Sequence, residues 1–184
     1  PGGIFKSNDL GKTWHEKNFG IPSFQVHDPL RQGYYAIDIS RSNPDILYLG
    51  LYRKGMYKSV NNGETWYPVN GGDWIMSDQK ITSLAIDHDN ENIVYCATED
   101  GIYITENGGR SWREFNTGLA SKDIKIIYMS PAKTLFAGSR GYGLFYLEEN
   151  QWKFTGSFGE WGVIWPIWDN RPLYQYTSLL IHPL

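Results

Sequence analysis

Apolar runs five or six residues long recur along this chain, and they come in pairs. Tyr35-Ala36-Ile37-Asp38-Ile39 is followed by Ile46-Leu47-Tyr48-Leu49-Gly50-Leu51. Ile81-Thr82-Ser83-Leu84-Ala85-Ile86 is followed by Ile93-Val94-Tyr95-Cys96-Ala97, and Ile124-Lys125-Ile126-Ile127-Tyr128-Met129 by Thr134-Leu135-Phe136-Ala137-Gly138. The runs are rich in β-branched and aromatic residues and are bounded by Asn, Asp, Gly and Pro, which is the signature of strands. No stretch sustains helical i, i+3, i+4 spacing between capping signals, so the pattern predicts no helix.

A third element follows each pair and repeats almost literally. Gly3-Ile4-Phe5-Lys6-Ser7-Asn8-Asp9-Leu10-Gly11-Lys12-Thr13-Trp14 returns as Gly55-Met56-Tyr57-Lys58-Ser59-Val60-Asn61-Asn62-Gly63-Glu64-Thr65-Trp66. It returns again as Gly101-Ile102-Tyr103-Ile104-Thr105-Glu106-Asn107-Gly108-Gly109-Arg110-Ser111-Trp112. An eroded copy, Gly143 to Trp152, is two residues shorter and lacks the turn glycine. The closing tryptophans are 52, 46 and 40 residues apart. A period of this size marks a supersecondary unit that buries its apolar faces only against its neighbours. Each unit reads as four antiparallel strands, A to D, which is the β-propeller pattern. The expected fold is therefore all-β: three complete blades with partial ones at each end, within a larger ring. One domain spans 1–184, with blade ends near 19, 69, 116 and 155. Residues 176–184 start a further blade, because Thr177-Ser178-Leu179-Leu180-Ile181 mirrors Thr82 to Ile86.

The bulk composition narrows the functional classes. The chain of 184 residues is 41% hydrophobic and 16% aromatic, which excludes a disordered segment. A net charge of −3 offers no basic stripe for nucleic acid. No apolar run reaches the length of a membrane span, and no basic-then-apolar leader opens the stretch. A lone Cys96 excludes an internal disulfide framework. No Cys/His pair has zinc spacing, no glycine loop cradles a phosphate before a helix, and no nucleophile elbow is present. His15, His27, His88 and His182 are scattered, and Asp87, Asp89 and Glu91 alternate without the rest of a calcium loop. No cofactor or metal is expected.

Ser-x-Asp-x-Gly-x-Thr-Trp resembles the Asp-box (BNR repeat) of sialidases, xyloglucan-cleaving glycoside hydrolases, sortilin-type receptors and a photosystem assembly factor. The resemblance covers most of residues 3–154 and departs at Asn61, Asn107, Thr105 and Ser111. It implies a propeller, and an extracytoplasmic or secreted setting. Because the same chemistry repeats in every blade, the box residues Ser7, Asp9, Gly11, Trp14, Ser59, Asn61, Gly63, Trp66, Thr105, Asn107, Gly109 and Trp112 are expected to be structural. The acceptors Asp9, Asn61 and Asn107 close a turn on backbone N–H groups. The glycines supply positive φ, and the tryptophans pack between hairpins in equivalent places.

Ligand chemistry is expected where the blades differ. The D–A and B–C loops share one face of a propeller, opposite the box turns. They carry Asp28, Asp73, Trp74, Trp161, Trp165, Trp168, Asp169, Arg171 and Tyr142, with Arg31, Arg53 and Arg140 nearby. Aromatic rings beside carboxylates suit a sugar, whose C–H faces stack on the rings. Two readings follow. One is a recognition or scaffold module presenting this face to a glycan or a protein. The other is a xyloglucanase-like glycoside hydrolase using a pair from Asp28, Asp73 and Asp169. No sialidase-type arginine motif is present. Further partners are the remaining blades of a parent chain, or other copies of this one.

Overall fold

The computed structural model describes residues 3–22, 35–51, 53–72 and 75–155. Among them all regular structure is β. A two-stranded hairpin, β1 (Phe5–Lys6) and β2 (His15–Glu16), comes first. Three four-stranded antiparallel sheets follow in chain order. Blade one is β3 (Tyr35–Ile39), β4 (Leu47–Leu51), β5 (Gly55–Ser59) and β6 (Tyr67–Pro68). Blade two is β7 (Ile81–Ile86), β8 (Val94–Thr98), β9 (Gly101–Thr105) and β10 (Arg113–Glu114). Blade three is β11 (Ile124–Met129), β12 (Leu135–Ser139), β13 (Gly143–Glu148) and β14 (Gln151–Phe154). These are the expected strands A to D. The chain is a run of propeller blades, with β1 and β2 as strands C and D of another. Among the described residues no helix is long and apolar enough to cross a membrane.

The core lies between the sheets, as a face-to-face stack demands. Leu47, Leu49, Leu51 and Trp66 of blade one pack with Ile4 and Ile21 from the segment carrying the first hairpin. Ala36, Tyr48 and Met56 of blade one meet Leu84, Ile86, Val94, Cys96 and Trp112 of blade two. Ala97, Ile102 and Ile104 of blade two meet Ile127, Met129, Leu135 and Trp152 of blade three. Burying one such side chain contributes about 1.5–3 kcal/mol. Close approach needs small residues at particular points. A Cβ on Gly50 would sit 2.4 Å from Cγ2 of Ile81, so glycine there lets blade two's first strand pack down.

Strands β3, β7 and β11 lie side by side, blade against blade. Among the described residues, no further strand of its own sheet pairs beyond each of them. Side chains from the neighbouring blade reach backbone groups along this line. Asp38 Oδ2 accepts from the Ile86 N–H at 2.8 Å. The hydroxyls of Thr82 and Ser83 donate to the carbonyls of Ile124 and Ile127, at 2.7 and 3.2 Å. Unpaired backbone groups on a strand edge are costly when buried and invite foreign strands. These bridges answer both problems and stitch successive blades together.

Candidate functional site

The C–D turns come first, because they set the two faces. Asp9 Oδ1 accepts from the Thr13 N–H at 2.8 Å, and Oδ2 from its hydroxyl at 2.6 Å. Asn61 and Asn107 accept from the N–H groups of Thr65 and Ser111, both at 2.9 Å. Their amide groups donate to the Thr65 and Ser111 hydroxyls, so Asn reproduces the Asp arrangement with one donor reversed. The hydroxyls of Ser7, Ser59 and Thr105 accept from the N–H groups of Gly11, Gly63 and Gly109. Those glycines have φ of 87°, 83° and 88°, as expected. Hydrogen bonds from Thr13 and Ser7 hold the Asp9 carboxyl well below the usual range, at about 2. Every polar group here faces its own turn, which is a structural role.

The indoles reach further than the pattern predicted. Trp66 Nε1 donates to the Lys17 carbonyl, Trp112 to that of Val69 and Trp152 to that of Phe115, at 2.9, 2.7 and 2.8 Å. Each acceptor lies three residues beyond the tryptophan of the preceding unit, so every indole is latched to the blade before it. The eroded fourth turn keeps its latch. It closes instead through Glu149 and Asn150, whose φ of 50° and 60° makes a two-residue hairpin turn. Trp14 corrects the expected equivalence. It occupies the same place in its turn but is 61% exposed, and its Nε1 bonds the Gly11 carbonyl at 3.1 Å. Among the described residues no sheet lies on that side of it to supply a carbonyl.

One recurring residue escaped the sequence reading. Asn18, Asn70 and Asn116 each stand four positions after a turn tryptophan. Their Oδ1 atoms accept from the N–H groups of Ile4, Met56 and Ile102, each at 2.7 Å. The Trp-x-x-x-Asn repetition was visible, but asparagines at strand ends read as ordinary turn formers.

The D–A and B–C face is described in part. Asp28, Asp73, Trp74, Trp161, Trp165, Trp168, Asp169 and Arg171 lie outside the described residues, as does Arg31. Tyr142 stands 57% exposed in the B–C turn of blade three. Arg53 and Arg140 head the corresponding turns of blades one and three, and their N–H groups bond the Gln79 and Asp123 carbonyls. Between them runs an ion chain. Glu99 pairs with Lys80 and Lys125, both at 2.9 Å, and Lys125 with Asp123 at 2.7 Å. Burial pushes the Glu99 carboxyl up, but the two lysines outweigh it and hold it below its ordinary value. That is the opposite of what a proton donor requires.

Two recesses lie elsewhere. A cleft of about 480 Å³ opens on the C–D turn face between blades one and two, lined by Lys58, Asn92, Glu106 and Arg110. A smaller one, about 120 Å³, follows β3, β7 and β11 and includes Asp38, Arg41 and His88. Burial raises the Asp38 carboxyl above its usual range against the N–H bonds from Ile86 and Ile39. Burial also lowers His88, with Arg41 adding to the effect. Asp87 caps its own turn by accepting from Asp89 and Asn90 N–H groups, and Asp89 pairs with Lys133, so these acids serve the A–B turn.

Similarity to known proteins agrees with the architecture. No protein-family model matches the chain. A probable oligoxyloglucan-reducing end-specific xyloglucanase of Neosartorya fischeri is 27% identical over 112 residues, which is 59% of this chain and 14% of that protein. The solved GH74 enzyme of Niastella koreensis superposes with a TM-score of 0.61 at 19% identity, over 81% of this chain and 25% of that one. A structure of YCF48 bound to a D1 peptide gives 0.56 at 15% identity, over 81% and 46%. The chain is a β-propeller segment with the fold of GH74 enzymes and YCF48. It spans about one seventh of the curated relative, and between a quarter and a half of these two solved chains.

Proposed function

We propose that this stretch supplies consecutive Asp-box blades to a larger β-propeller whose D–A and B–C face recognises a polysaccharide. The observation that carries the reading is the sequence similarity to a xyloglucanase, which adds a ligand class to a fold that hosts many functions. Tyr142 supports it as an exposed ring among the unequal loops, and Trp161, Trp165 and Trp168 add the aromatic content a sugar face needs. The turns with Ser7-x-Asp9, Ser59-x-Asn61 and Thr105-x-Asn107 are scaffold in this reading, since their polar atoms are spent on their own backbone.

The test is calorimetric titration of the intact protein with xyloglucan oligosaccharides. Saturable binding is expected, weakened about 2- to 10-fold by Tyr142→Ala and by each of Trp161→Ala, Trp165→Ala and Trp168→Ala, the range of one stacked ring. Binding unchanged in all four variants would remove the sugar face.

The name of the relative favours a second reading, hydrolysis. Two of Asp28, Asp73 and Asp169 are then the candidate pair, about 5 Å apart for retention or about 6.5–9.5 Å for inversion. Reducing-sugar release from soluble glucans by the intact protein, abolished by Asn at two of these positions, is the expected result. Binding without release leaves the recognition reading standing alone.

A further inference from the structure

Successive units meet beside their C–D turns, and the charges at these meetings change along the chain. Between the first hairpin and blade one they are matched. Lys17 pairs with Glu64 at 2.5 Å, and the Lys6 ammonium donates to the Asn62 carbonyl at 3.4 Å. One repeat on, Lys58 stands in the place of Lys6, Val69 in that of Lys17 and Arg110 in that of Glu64. An acid has given way to a cation, and its partner to an apolar side chain. Between blades two and three, Ile104 and Asn150 take the places of Lys58 and Arg110, and neither is charged. The cleft of about 480 Å³ lies at the middle meeting, and both cations line it.

Among the described residues neither cation is paired with a carboxylate. Lys58 is half-buried, its Nζ 5.1 Å from the centre of the Tyr48 ring. Burial holds its ammonium below the ordinary value, Glu91 opposes this, and the charge of Arg110 adds to it. The acids nearby have partners of their own. Glu106 lines the cleft but pairs with Arg113 at 3.2 Å, and Glu91 accepts from the Ser42 hydroxyl at 3.2 Å. Gly108 keeps the space beside Lys58 open. A Cβ there would sit 2.9 Å from Asn92 Oδ1 and 3.0 Å from Lys58 Nζ. The matching residues of the earlier turns are Leu10 and Asn62, at φ of 59° and 58° against 70° for Gly108, so the turn does not itself demand glycine. A half-buried ammonium beside a second cation, with no counter-ion, is an unfavourable arrangement that one anion relieves. From these observations we infer that this cleft binds an oxyanion, a carboxylate, sulfate or phosphate group, between Lys58 and Arg110. The guanidinium supplies a planar fork for two of the oxygens, and the ammonium a point charge. The side-chain amide of Asn92, which makes no hydrogen bond among the described residues, can donate to the group or to a hydroxyl beside it. The cleft has room beyond one such group, so the oxyanion enters free or carried on an acidic sugar. This site is on the turn face, and the inference is independent of what the loop face binds.

The experiment is calorimetric titration of the intact protein at constant ionic strength with inorganic phosphate and, separately, with glucuronate. Glucose is the neutral control. Expected is saturable binding of at least one anion, weakened at least about tenfold by Lys58→Gln and by Arg110→Gln, the loss of one charge-assisted contact. Lys12→Gln removes a cation from the matching place of the first turn and should leave binding unchanged. Gly108→Asn copies Asn62 of the previous turn, so it should keep the urea midpoint while its side chain fills the cleft and abolishes binding. If that variant unfolds, the two charge variants decide. Tighter binding of phosphate assigns a free anion and tighter binding of glucuronate an acidic sugar, and either supports the inference. No saturation by either anion overturns it, as does binding that survives both charge variants. An equal loss in Lys12→Gln also overturns it, because general charge would then be responsible, and so does glucose binding as tightly as glucuronate.

Discussion

Asp9 is the titrating member of three C–D turns that otherwise share one geometry, with Asn61 and Asn107 in the other two. Its carboxyl is held at about 2 by Thr13 and Ser7. A depressed folded-state value means the turn's contribution is present above the ordinary carboxylate range, near 3.8, and is lost as pH falls through about 2. The Thr13 amide resonance should therefore move with a midpoint near pH 2, while those of Thr65 and Ser111 stay still. Coincident movement of all three would mean global acid unfolding instead. The same scale holds the asparagines that the sequence reading passed over. Asn116→Ala removes the acceptor of the Ile102 N–H at a residue with no exposure. A buried donor left unpaired costs about 1–3 kcal/mol, so the urea midpoint should fall accordingly. A change below about 0.3 kcal/mol would show that another acceptor takes over.

At the scale of the element, the sequence was most legible where periodicity is local. The innermost strands appear where the apolar runs stand, because a strand with both faces packed admits few polar residues, and turn formers mark its ends. The latch was not legible. Its donor is a conspicuous Trp, but its acceptor is a backbone carbonyl in another blade, which any residue type can supply. Lys17, Val69 and Phe115 have nothing chemical in common. The latch predicts unequal mutational effects from like residues. Trp112→Phe strands the Val69 carbonyl and should cost about 1–3 kcal/mol. Trp14→Phe, at an exposed site, should stay within about 0.5 kcal/mol if this region remains uncovered. Chemical denaturation of the two variants side by side reads the difference. Equal losses would place Trp14 in a buried contact of the intact protein.

At the scale of the molecule, the repeats define the scaffold and the exceptions define the face. The candidate acids and loop tryptophans were found because they break the repeat. For the same reason no internal copy says how they are arranged. Those acids and tryptophans lie outside the described residues; of the candidate ligand-binding side chains, Tyr142 is the one the described structure places. The ion chain through Lys80, Glu99, Lys125 and Asp123 ties blade two to blade three on this side. Its members are partly exposed, so Glu99→Gln should lose only about 0.2–1 kcal/mol in dilute buffer, less as salt is added. A loss that ignores salt would mean packing rather than charge.

The latches also have a direction: each indole reaches back to the blade made before it. On a ribosome adding about 5–20 residues per second, one unit of 46 residues takes roughly 2–10 s. When Trp112 emerges, the Val69 carbonyl it needs has already left the ribosome, and the same holds for Trp152 and Phe115. No indole that is latched in this way waits for a partner still to be translated. Nascent blades can therefore settle in order of synthesis, each on a finished template, and the apolar surface open to a chaperone or a neighbouring polysome stays near one blade's worth throughout.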